Sequence, residues 1–283
     1  MNRLKGKVAV ITGGTRGVGL ALAKAFRDEG AAVMICGRSQ ASVERAVNQL
    51  LTNGNNIRGM EVDVTDLDQV DNLARQTIQE YGRLDIWVNN AGFSAPYGPT
   101  LDIHPQTFYQ VMQVNMIGVY YGSRVAMSHF INQRQGKLIN LLGRGAKGPL
   151  PFQNAYGSSK AWVRNFTKAL AEETRDLGVG VFSYSPGMVL TDMLTDVEVT
   201  LGSEQRLKNF ATVLRMWANP PEAVTEKAIW LASSATDGKT GIEVYYLSKS
   251  KLMLGALKEG LRSILKRPSE TSDVKIRIIP PAN

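Results

Sequence analysis

The chain has 283 residues, 43% of them hydrophobic, a formal charge of +8 and one cysteine. That length suits one large α/β unit better than two small ones, and no apolar run approaches the ~18 residues that span a bilayer. The N-terminal MNRLKGKVAVITGG lacks a secretion signal's apolar core and cleavage site, and Cys36 has no partner for a disulfide or a metal site, so a reducing, cytoplasmic setting and a buried apolar role for Cys36 are expected.

Apolar β-rich runs alternate with longer stretches of helical spacing. VAVIT (8–12) reads as a strand, and GLALAKAFRDEGA as the helix after it. AAVMICG (31–37) is a second strand, ASVERAVNQLLTNG a helix, GMEVDV (59–64) a third strand and LDQVDNLARQTIQEYG a helix. LDIWVNN (84–90) is a buried strand, residues 107–136 a single long helix, and KLINLL (137–142) a strand. AYGSSKAWVRNFTKALAEETRDLG is helical, VGVFSYS (179–185) is a strand, and a last strand is expected at GIEVYYLS (241–248). Seven strands alternating with helices predict an α/β Rossmann fold, a doubly wound parallel sheet in three layers. Near-continuous apolar strands fit a sheet covered on both faces. No internal repeat or linker precedes residue 248. Residues 1–248 are therefore expected as one domain, with 188–225 as a lid and 249–283 as a basic C-terminal extension.

TGGTRGVG (12–19) lies between the first strand and the first helix. Gly13, Gly17 and Gly19 allow a tight turn and close approach to a pyrophosphate, which the helix N-terminus attracts. A structural turn without a ligand is the alternative, and the strand–turn–helix context weighs against it. The second strand ends Cys36-Gly37-Arg38-Ser39, with no acid to hold ribose hydroxyls. Arg38, with Arg16 pointing to the same place, suits a 2′-phosphate, so NADP(H) is the expected cofactor. The alternative is two solvated surface arginines. Asp63 is expected to bond the adenine, or else to cap the segment starting at Thr65.

Tyr156 and Lys160 stand four apart on a predicted helix and share a face. An ammonium beside a phenol favours the phenolate, which would make Tyr156 a usable acid/base near neutral pH. Alone, this spacing is also that of an ordinary surface pair. TGGTRGVG, Asp63, Asn89-Asn90-Ala91-Gly92, Asn115, Tyr156-x-x-x-Lys160 and Pro186-Gly187 together resemble the short-chain dehydrogenase/reductase (SDR) family over roughly residues 5–250.

The resemblance implies an oxidoreductase with Tyr156, Lys160 and Asn115 as catalytic residues. Tyr156 would protonate the forming alkoxide. Lys160 would hold the nicotinamide ribose, and Asn115 would kink its helix and hold a water that relays protons. Cofactor contacts are implied for Gly13, Thr15, Arg16, Gly17, Val18, Gly19, Arg38, Ser39, Asp63, Val64, Asn89, Ala91, Gly92, Pro186, Gly187, Val189 and Thr191, besides Tyr156 and Lys160. Asn89 to Gly92 would stabilise the central sheet, and Thr191 would bond the nicotinamide amide, unless it merely caps a helix. No metal is implied. Pairing through two long central helices would give a homodimer or homotetramer.

One position departs from that pattern. The family places a serine about thirteen residues before the tyrosine, where this chain has Asn140-Leu141-Leu142-Gly143. Losing such a donor costs about 10²–10³ in rate where nothing replaces it. Either the chain is a non-catalytic NADP(H)-binding regulatory protein, or another donor serves: a backbone N–H of Gly143-Arg144-Gly145, the Arg144 side chain, or the substrate itself. Asn-x-x-Gly-x-Gly, SPGMVLTDML and YYLSKSKLMLGAL are locally similar to the chlorophyll b reductase branch, which also has glycine at that strand end. This similarity implies a reductase of a bulky apolar carbonyl compound.

In the lid, Met188, Met193, Leu194, Met216 and Trp217 are expected either to line an apolar pocket or to pack the lid on the core. Residues 249–267 hold six Lys/Arg against one Glu, and no basic and aromatic motif accompanies them to suggest nucleic acid. Leu252, Leu257, Leu261, Ile264 and Leu265 recur at helical spacing. That helix is expected to dock its apolar face on its own domain or on a second subunit, an interfacial lipid helix being the less favoured option. The final SETSDVKIRIIPPAN is expected to be loosely ordered or strand-like.

Overall fold

The computed structural model describes residues 2–51, 56–265 and 274–282. In chain order, β1 (Val8–Ile11), α1 (Gly17–Asp28), β2 (Ala32–Gly37), α2 (Gln40–Leu50), β3 (Ile57–Glu61), α3 (Leu67–Tyr81) and β4 (Ile86–Asn89) form the first half. α4 (Pro105–Met112), α5 (Gly118–Asn132), β5 (Lys137–Leu141), α6 (Asn154–Glu173) and β6 (Gly180–Ser185) follow. β7 (Met188–Val189), α7 (Asp192–Thr195), β8 (Asp196–Thr200), α8 (Phe210–Trp217) and β9 (Ala218–Asn219) interrupt the alternation. α9 (Glu226–Ala232), β10 (Glu243–Tyr245), α10 (Lys249–Ile264) and β11 (Lys275–Ile279) complete it.

The seven expected strands form one parallel sheet in the order β10-β6-β5-β4-β1-β2-β3. The order reverses between β1 and β4, where a doubly wound sheet opens a crevice at its carboxyl edge. Although the strands are apolar throughout, alternate residues serve different layers. Ile11, Ile35, Val88 and Ile139 pack with Leu22 and Phe26 of α1. Val10, Met34, Trp87 and Leu138 pack with Leu73 of α3 and Phe130 of α5. Cys36 is fully buried in that second layer, which pushes its thiol up to about 12.

Several boundaries differ from the sequence reading: the last strand, expected over 241–248, is only Glu243–Tyr245, and α6 closes at Glu173 rather than 178. β3 covers Ile57–Glu61 rather than 59–64, because its partner β2 ends at Gly37, opposite Glu61. The end of the helix expected to run to residue 54 lies partly outside the described residues, and α2 closes at Leu50. The single helix expected over 107–136 is α4 and α5 joined by a π-helical turn, Gln113–Ile117, with Asn115 at its centre. Such a turn shifts the backbone ladder, often at a functional position.

The lid has its own small core of Met188, Val197, Val199, Leu207, Phe210 and Leu214, with Leu194 and Trp217 packed against it. Packing therefore accounts for Met188, Leu194 and Trp217, whereas Met193 is exposed. Of the final segment, residues 269–273 and 283 lie outside the described residues, and the rest carries a strand: β11 pairs in parallel with β8 along its whole length, and the Ala282 N–H donates to the Asp102 carbonyl. α10 packs on α8, but not as expected. Its small and polar side faces α8, and its apolar side faces solvent. Among the described residues no helix is long and apolar enough to cross a membrane.

Candidate active site

The sequence-predicted residues gather at the carboxyl edge of the sheet, after β1, β2, β3, β4, β5 and β6 in turn. A cleft of about 400 Å³ at the opposite edge is lined by Lys7, Asp85, Lys137 and Asp237. There Lys137 pairs with Asp237 at 2.7 Å and Arg83 with Asp85 at 2.5 Å, so the charges answer one another.

The glycine turn is held by backbone contact. Gly13 and Gly17 have φ of +63° and +56°, a region L side chains rarely adopt. A Cβ on Gly19 would lie 2.2 Å from the Gly13 carbonyl oxygen, and one on Gly13 would lie 2.9 Å from Ala91 Cα. The turn is braced by Asn90, whose Nδ2 donates to the carbonyls of Thr12 and Gly13 at 2.8 and 3.0 Å. The sequence reading gave Asn89 a sheet-stabilising place and a cofactor contact. Alternation along β4 turns Asn89 inward instead, where it bonds Trp87, Ser123 and Asn140 within the sheet. Its role is the sheet-stabilising one. No side chain caps α1, and its first turn has no acid, so its N–H groups face the turn beside Arg16 and Val18.

At the end of β2, a Cβ on Gly37 would lie 2.7 Å from Thr15 Cγ2. Contact with the glycine turn therefore leaves no room for an acidic side chain there. Arg38 and Ser39 follow, both exposed, and the Ser39 hydroxyl at the N-cap of α2 makes no capping bond. Arg16 does not join Arg38 as expected: its guanidinium donates to Asp192 at 3.1 Å, bridging the turn to α7. Asp63 accepts from the N–H and hydroxyl of Thr65 at 2.9 and 2.8 Å through one oxygen, and the helix cap proper is Asp66. Val64 is buried, its side chain against Gly118 of α5.

After β6, Pro186 and Gly187 turn the chain, with Gly187 at φ +79°. β7, which contains Val189, pairs with β9. Thr191 then lies against the start of α1, its Cγ2 2.9 Å from where a Cβ of Gly17 would be. It occupies the N-cap of α7 without a side-chain capping bond.

Around Tyr156 the geometry departs from the sequence reading. Lys160 is buried, and its ammonium donates to the Leu141 carbonyl at 3.1 Å while lying 5.7 Å from the Tyr156 ring centre. Asn115, fully buried in the π-helical turn, accepts from the Phe93 N–H at 2.8 Å and donates to the Phe93 carbonyl and to Ser159 Oγ, each at 2.9 Å. Ser159 in turn donates to the Tyr156 carbonyl. Asn115 thus ties the segment after Gly92 to the helix carrying Tyr156 and Lys160.

The expectation that Lys160 depresses the Tyr156 pKa is not met. Burial pushes the phenol up to about 12 and the ammonium down to about 8. Tyr97 nearby raises it further, and the Arg144 guanidinium lowers it. Tyr97 was missed in the sequence. It reaches the site because its backbone bridges to Val199 of the lid and its ring packs edge-on against Phe210, neither of which leaves a local pattern.

Gly143 is filled rather than vacant. A Cβ there would lie 2.2 Å from the Tyr156 hydroxyl and 3.0 Å from Cζ. The phenol oxygen occupies the space that a serine side chain at 143 would need. The next turn is fixed by Gly145, at φ +90°, where a Cβ would lie 2.3 Å from Gly157 Cα of α6.

The short chain dehydrogenase family model matches residues 7–201. L-fucose dehydrogenase from Rattus norvegicus is 32% identical, with 99% of each chain covered. A chlorophyll(ide) b reductase from Arabidopsis thaliana is 35% identical over 88% of this chain and 74% of its own. Among solved structures, the 3-ketoacyl-(acyl-carrier-protein) reductase of Brucella melitensis, complexed with NADH, is 29% identical and superposes with a TM-score of 0.76 over 86% of this chain and 97% of that one.

Proposed function

The chain belongs to the short-chain dehydrogenase family of oxidoreductases, and on that premise we propose that it is an NADP(H)-dependent reductase of a bulky apolar carbonyl compound. The observation that carries this reading is the convergence of Tyr156, Lys160 and Asn115 at the carboxyl edge, beside a glycine turn in which added Cβ atoms would strike backbone. That turn and the uncapped start of α1 form a cradle for a pyrophosphate. Gly37, Arg38 and the uncommitted Ser39 hydroxyl favour a 2′-phosphate over free ribose hydroxyls, and Asp63 keeps a second oxygen for the adenine edge.

When bound, the nicotinamide supplies hydride to the carbonyl carbon. The chain's own residues supply the proton and the geometry. Held near 12 by burial, Tyr156 is a neutral phenol at physiological pH and donates its proton to the oxygen on which charge develops. This protonation state suits reduction. Arg144 is the chain's candidate for the missing serine's part, because it directly follows Gly143, the residue against which the Tyr156 hydroxyl lies. Lys160 holds the nicotinamide ribose, and Asn115 holds the helix geometry around both. Ala155, next to Tyr156 in α6, belongs to an apolar cluster with Phe93 and Ala95, and Tyr97 packs on Phe210, which suits an apolar substrate.

Self-association is proposed through α5 and α6, whose Tyr120, Trp162 and Phe166 form a partly exposed aromatic group. Residues 1–248 are proposed as the catalytic unit, and the buried single thiol fits a cytoplasmic setting.

The test is consumption of NADPH or NADH with a panel of apolar ketones, aldehydes and formyl-bearing pigments, with Tyr156→Phe alongside. The reading predicts NADPH-preferring consumption that the variant loses. Tight NADPH binding without turnover across the panel would favour the non-catalytic alternative.

A further inference from the structure

The side of α10 that meets α8 is small and polar. A Cβ on Gly255 would lie 2.2 Å from the Met216 carbonyl oxygen, and the Leu252 carbonyl accepts from Trp217 Nε1 at 3.0 Å. Glu259 pairs with Arg215 at 3.0 Å and with Arg262 at 2.8 Å. Positions 252, 255, 259 and 262 share one stripe of a helix. On the opposite arc stand Met253, Leu254, Leu257, Leu261, Ile264 and Leu265, each between 51% and 77% exposed. A helix docked on its own domain normally turns such a stripe inward.

The charges follow the same division. Glu259 is the only carboxylate of α10, and it lies on the docked side between two arginines. Lys258 is exposed beside the apolar arc, and Lys251 stands at its edge over the Tyr246 ring, 3.5 Å from its centre. Among the described residues the outward face of α10 is therefore apolar and basic, without an anion.

We infer that this face of α10 is a docking surface for an anionic lipid bilayer. The apolar arc enters the boundary between headgroups and acyl chains, and the lysines meet lipid phosphates. At 16 residues, about 24 Å long, the helix lies along the surface and does not span it. A second copy of the chain fits this face less well. A two-fold contact sets a patch against itself, and this patch would bring cations to cations with no acid to answer them. Because α10 covers α8, and α8 belongs to the lid core, docking would set the lid against the bilayer. The inference stands on α10 and does not depend on the proposed activity.

The experiment is co-sedimentation of the full chain with vesicles of phosphatidylcholine alone or with added phosphatidylglycerol, at low and raised salt. Leu257→Asp/Ile264→Asp runs beside the wild type. Both positions are strongly exposed, so the variant should keep its melting temperature. The wild type is expected to sediment with the anionic vesicles, and about tenfold less with neutral vesicles, at raised salt, or as the double variant. Absence of sedimentation, or sedimentation that the double variant retains, would overturn the inference. So would a wild-type oligomer that ignores vesicles and that the double variant dissociates, which would seat a second copy on this face.

Discussion

The site has two halves, one at the end of β1 and one at the end of β5, and each is closed around a glycine with no room for a side chain. At Gly19 the atom in the way is a backbone carbonyl oxygen, 2.2 Å from where a Cβ would be. At Gly143 it is the tip of a side chain, the Tyr156 hydroxyl, also at 2.2 Å. Backbone cannot yield without disturbing β1 and α1, whereas a phenol can swing. The first glycine is thus required by the fold of the turn, whatever the chemistry. The second is required by the seat of one hydroxyl, and on the proposed function its loss should affect catalysis rather than stability.

The largest effect is expected at that hydroxyl itself. Tyr156→Phe should lower kcat/KM by about 10²–10⁴ while leaving coenzyme binding unchanged by fluorescence titration. On the other side, Gly19→Ala should destabilise the protein by about 1–3 kcal/mol in denaturant unfolding and weaken coenzyme binding as well. A purely kinetic effect there would erase the distinction drawn between the two halves. Arg38→Ala should raise KM for NADPH about tenfold and leave KM for NADH unchanged, sharpening the assignment of the coenzyme half.

The last expected effect concerns Lys160 and pH. Its folded pKa, about 8, lies below the ordinary 10.5, so the unfolded chain binds the proton more readily. Wild-type stability should therefore rise as pH increases from about 8 to 10.5, relative to Lys160→Met, by about 2–3 kcal/mol. Tyr156, raised from 10 to about 12, acts in the opposite direction above pH 10, but it is present in both proteins and cancels in the difference. Unfolding midpoints of the two proteins across that range check the sign.

The sheet and the coenzyme half were legible because their signals are local. Strand runs are continuous in sequence, and a glycine turn between a strand and a helix announces its own contacts. The β4 end shows where locality stops: Asn89 and Asn90 are adjacent, and only the strand's alternation decides which of them reaches the turn. Arg16 escaped prediction for a similar reason, since its partner Asp192 is far away in the chain. The substrate half was less legible. Tyr97 enters through a bridge to Val199, and the hydroxyl over Gly143 comes from residue 156. In the sequence Gly143 reads as a lost serine, because the residue that fills its space cannot be seen there. α10 misled in another way: its apolar spacing was correctly read, but spacing does not state whether the stripe faces the protein or solvent.

The seat of Tyr156 is tested most directly by Gly143→Ser, with Gly143→Ala beside it, measuring kcat/KM and melting temperature together on a substrate the wild type turns over. The account predicts that both variants keep nearly the wild-type melting temperature, because the phenol can move aside, and that both lose about tenfold or more in kcat/KM, because it has moved. A serine variant as active as the wild type, or more so, would contradict it, and would show that position 143 lacks a donor rather than making room for one.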